Sequence, residues 1–160
     1  MTKFLAFDIE AADPNSENAG NVKVTAVLFA MEHDKQSKKL DELLLFIKPE
    51  KEFHGDILDI MNLFMDNAMD KLIDLLIATD IILTDKEILA AYCGHMMLIA
   101  RLTINVREMA KCLIKDFEME QGENRCEIII NTLALIWEKQ TFMHLPYSPE
   151  FQINTPDSKR

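Results

Sequence analysis

The chain is poor in the residues that punctuate β-rich folds. Among its 160 residues there are 4 glycines and 5 prolines. So few tight-turn residues exclude collagen-like, propeller and barrel architectures, which need frequent turns and bulges. The glycines Gly20, Gly55, Gly94 and Gly122 are isolated, so there is no glycine-rich loop to cradle a phosphate. Cysteine is scarce and odd in number: Cys93, Cys112 and Cys126 show no CxxC spacing. A disulfide framework would be denser and even, so free thiols in a reducing compartment are expected. The serines Ser16, Ser37, Ser148 and Ser158 lie in no GxSxG elbow. The histidines His33, His54, His95 and His144 form no HExxH pattern. The uncharged run from Ile88 to Ala100 is short of the roughly 20 residues of a membrane span, and Asp8 and Glu10 interrupt the N-terminal apolar stretch too early for a signal peptide. A cytoplasmic protein with no membrane contact is the expectation.

Basic residues are also short, 17 against 27 acidic, for a net charge of −10. That sign opposes nucleic acid as a partner. The hydrophobic fraction, 49%, is ample for a core and excludes a disordered chain.

Lys3 to Glu10 alternates, with Leu5, Phe7 and Ile9 on one side and Asp8 and Glu10 on the other, the period-2 pattern of a half-buried strand. Val22 to Met31 is β-branched and nearly continuously apolar, as a central strand is. Residues 40–48 suit either a strand or a helix, and a third strand is favoured because two alone are marginal. From residue 55 the pattern turns helical, predicting helices over about 56–78, 85–101, 103–120 and 124–140. Thr84-Asp85-Lys86-Glu87 reads as a capping box for the second of these. Residues 141–160 read as an extended tail. The expected fold is α+β: a single domain over 1–140, with a small N-terminal antiparallel sheet of two to three strands packed on a C-terminal bundle of about four helices.

The charge is uneven. Residues 54–140 carry −7, and seven aspartates fall between residues 54 and 85 against one lysine, Lys71. On one continuous helix, Asp56, Asp59, Asp66, Asp70 and Asp74 share a sector beside the apolar face. A solvated helix face is the plain interpretation. The functional one is a carboxylate stripe that steers a basic protein partner. The leading expectation is thus a small acidic non-enzymatic interaction factor of immunity, inhibitor, chaperone or adaptor type, with no cofactor and no metal. A self-associating structural subunit, a homo-oligomer, is another possibility. Cys93, His95, Met96 and Met97 cluster in sequence, but positions 93 and 95 of a helix point apart, so they read as core.

Asp8 and Glu10, two apart on a strand, project to one face. Such a pair can share magnesium for phosphodiester hydrolysis, and is the alternative catalytic and metal site. Phe7-Asp8-Ile9-Glu10 resembles the first motif of the DEDD-type exonucleases, in which a strand carries an Asp-x-Glu pair. The likeness covers about fifty residues, through the second strand to Ile47-Lys48-Pro49-Glu50. It implies a metal-dependent nuclease or a degenerate relative. No His-x4-Asp or Tyr-x3-Asp motif follows late in the chain, and no asparagine- or histidine-flanked segment supplies a second aspartate. Asp8 and Glu10 read more simply as the solvent face of an outer strand.

Overall fold

The computed structural model describes residues 1–32, 36–67, 69–96 and 102–142. Its elements run β1 (Lys3–Ala11), β2 (Val22–Met31), β3 (Ser37–Ile47), α1 (Ile57–Asn67), α2 (Met69–Ala78), β4 (Ile81–Thr84), α3 (Glu87–Met96), β5 (Leu102–Asn105), α4 (Val106–Leu113) and α5 (Arg125–Phe142). The strands form one five-stranded mixed sheet in the order β3-β2-β1-β4-β5. β1 pairs antiparallel with β2 and parallel with β4. β3 continues the antiparallel side and β5 the parallel side.

This overturns the expected small sheet on a four-helix bundle. The missed strands, β4 and β5, are four residues each. Ile81, Ile82 and Leu83 are fully buried, because a parallel strand in the middle of a sheet is covered on both faces and so shows no alternation. A four-residue apolar run cannot be told from a helix connection by period alone. The expected helix over 56–78 is two helices. The expected helix over 103–120 is instead β5 followed by the shorter α4. Asn105 caps α4, its side chain accepting from the backbone N–H groups of Arg107 and Glu108. Residues 143–160, most of the expected tail, lie outside the described residues.

Each face of the sheet carries its own core. Leu5, Phe7 and Ile9 of β1, with Val24 and Ala26 of β2, pack against α1, α2 and α3 through Phe64, Leu72 and Tyr92. Phe64 lies 5.6 Å from Phe7 and 5.3 Å from Tyr92 between ring centroids. On the other face, Phe4, Ala6, Phe29, Ile81 and Leu83 pack against α4 and α5 through Val106, Ile129 and Leu133. β1 therefore has no solvent side. Its alternation separates two cores, not core from water.

Candidate active site

Asp8 lies on the face of β1 that carries Phe4 and Ala6, under the start of α5. It is fully buried, so the expectation that it faces solvent is wrong. The parallel register pairs Ala6 with Leu83. Asp85 comes two residues after Leu83, near enough for its charge to act on Asp8. Asp85 is 4% exposed and follows the last residue of β4. On its other side Asp8 is paired with Thr25 of β2.

Each carboxylate has one oxygen engaged and one without a partner. Asp8 Oδ1 accepts from Lys86 Nζ at 2.7 Å, and the same ammonium donates to the Ile9 carbonyl at 2.5 Å. Asp85 Oδ2 accepts from Arg125 Nη2 at 2.5 Å and from Arg107 Nη2 at 3.5 Å. Among the described residues, Asp8 Oδ2 and Asp85 Oδ1 are buried with no hydrogen-bond partner. Burial pushes the Asp8 carboxyl above its ordinary pKa, against the pull of Lys86, and the neighbouring charges of Asp85 and Glu10 push the same way. Leaving buried polar oxygens unpaired costs about 1–3 kcal/mol each, which makes the pair expensive as structure alone.

The first turn of α5 closes the site. Arg125, 9% exposed, anchors its other nitrogen on the Glu120 carbonyl at 2.9 Å. Cys126 Sγ lies within hydrogen-bond distance of the Ala6 carbonyl, 3.4 Å, and of Thr25 Oγ1, 3.3 Å, and burial pushes its thiol up to about 12. Glu10 stands at the rim, 3.9 Å from Lys23. A groove of about 400 Å³ runs from this rim between β2, β3 and α5, with Thr25, Phe29, Leu43, Arg125 and Ile130 among its walls.

Sequence reasoning found Asp8 and Glu10 but missed Asp85, Lys86, Arg107 and Arg125. Of the expected box over Thr84-Asp85-Lys86-Glu87, the Thr84 hydroxyl oxygen does accept a backbone N–H, that of Lys86, at 3.3 Å. Thr84 is also the last residue of β4, Lys86 reaches Asp8 of β1, and Asp85 pairs with Arg107 and Arg125. The available signal was two charges directly after an apolar run. Among the described residues no group of three or more His, Cys, Asp or Glu side chains gathers as a metal cage.

The aspartate stripe does not form one row. Asp56 precedes α1 and accepts from the Asp59 N–H at 2.9 Å. Asp59 in turn accepts from the N–H groups of His54 and Gly55 at 2.6 and 3.2 Å. Both carboxylates thus serve the entry to α1. Asp70 and Asp74 are exposed on α2, and the Asp66 side chain lies outside the described set. Cys93 is buried, its thiol pushed up to about 12 by burial, while the side chains of His95 and Met96, and Met97 altogether, fall outside it.

No family model matches the chain, and no curated protein does. Among solved structures, it is similar to the crystal structure of the NurA nuclease from Sulfolobus solfataricus, at 16% identity and a TM-score of 0.29. The alignment covers 89% of this chain and 44% of that one. A likeness at that score carries neither fold nor activity across. No helix among the described residues is long and apolar enough to cross a membrane.

Proposed function

We propose that the chain is a divalent-cation-assisted phosphodiesterase of nuclease type. The observation that supports this reading is the pair of buried aspartates, Asp8 and Asp85, each with one unpartnered oxygen. Magnesium binds through one or two carboxylates, keeping water and substrate phosphate as its other ligands. The two unpartnered, buried oxygens of Asp8 and Asp85 are the groups that would meet that demand, and among the described residues no fuller set of metal ligands gathers. Asp8 and Asp85 would hold the ion, which supplies Lewis-acid polarisation of the phosphate and acidification of a bound water. Hydrolysis then forms a bond from the water oxygen to phosphorus and breaks a phosphorus–oxygen ester bond, the leaving alkoxide taking a proton. Lys86, Arg107 and Arg125 would bear on the phosphate charge.

The net charge of −10 argues against a polyanion only if it is felt at the site. Asp70 and Asp74 sit on α2, whose core is on the opposite face of the sheet. At the site, three cationic side chains meet two buried aspartates. The experiment is calorimetric titration with magnesium and manganese, together with hydrolysis of bis(p-nitrophenyl) phosphate and of labelled single- and double-stranded DNA and RNA. The expected result is a heat of binding and hydrolysis that falls about 100-fold or more in Asp8→Asn and Asp85→Asn. No heat and no hydrolysis by the unaltered protein rejects the reading.

A second reading, a surface for a basic protein partner, rests on Leu58, Met65 and Ile77. They are 59%, 69% and 59% exposed on α1 and α2, beside the exposed Asp70 and Asp74. Such apolar groups would give affinity and the carboxylates the rate of encounter.

A further inference from the structure

No further inference is drawn: the strongest candidate, the groove of about 400 Å³ between β2, β3 and α5, pairs Lys23 with Glu10 and Lys39 with Glu42 on its own walls, and nothing among the described residues shows what covers it.

Discussion

Asp8 carries opposed duties. The folded state raises its pKa above 3.8, through burial first and against the attraction of Lys86. Its ionisation therefore weakens the fold: the contribution is fully present below pH 3.8 and is lost as pH rises through the folded value. Asp8→Asn escapes this penalty. At pH 7 it is expected to melt about 2–4 °C above the unaltered protein, with the difference closing below about pH 3.8. A lower melting temperature at pH 7 would mean that the Lys86 pair outweighs the burial. The same substitution abolishes metal binding under the proposed function, so stability and activity move oppositely. Phe64, fully buried between Phe7 and Tyr92, belongs to the other core. Phe64→Ala should cost about 3–5 kcal/mol, read as a fall in the denaturant midpoint, and leave metal binding unchanged.

At the scale of the element, helix ends show where local chemistry decides. Asn105→Ala removes the acceptor for two backbone N–H groups of α4 and should cost about 1 kcal/mol. Asp59→Ala removes the acceptor for two N–H groups before α1, with a similar loss. If Asp59 instead belongs to a docking surface, its alanine variant would slow partner binding with no change in melting. The legible elements were those with a period or a continuous run: the alternation of Leu5, Phe7 and Ile9 marks β1, and the β-branched apolar stretch from Val22 to Met31 marks β2. β4 and β5 were not legible, since strand identity there comes from neighbours distant in sequence. Asp85 was hidden for the same reason, as a cap signature and a strand end share polar residues. Arg125 carries no local signal at all, because its meaning comes from an ion pair spanning 40 residues.

For the whole molecule, ligand linkage offers the broadest test. A divalent ion that binds only the folded state at 100 times its dissociation constant adds about 2.7 kcal/mol. For a chain of this size that raises the melting temperature by about 5–10 °C. Manganese should produce that rise in the unaltered protein and not in Asp85→Asn. An absent shift in both would leave Asp8 and Asp85 as a costly internal ion network. The two cores make the sheet the common wall of the molecule, and the acidic α2 and the cationic site occupy its opposite sides.

The central position of β1 has a consequence for the chain as it leaves the ribosome. Synthesis delivers β1, β2 and β3 first, and their antiparallel pairings are local. The edge of β1 that β4 later covers is then open, and it belongs to a strand reading Lys-Phe-Leu-Ala-Phe-Asp-Ile-Glu-Ala. An open apolar edge invites a second nascent chain. Asp8, two residues beyond the Phe4–Ala6 stretch that Ile81–Leu83 later covers, sets a charge beside that edge, and a charge so placed opposes such pairing. The residue that burdens the finished fold thus protects the unfinished one.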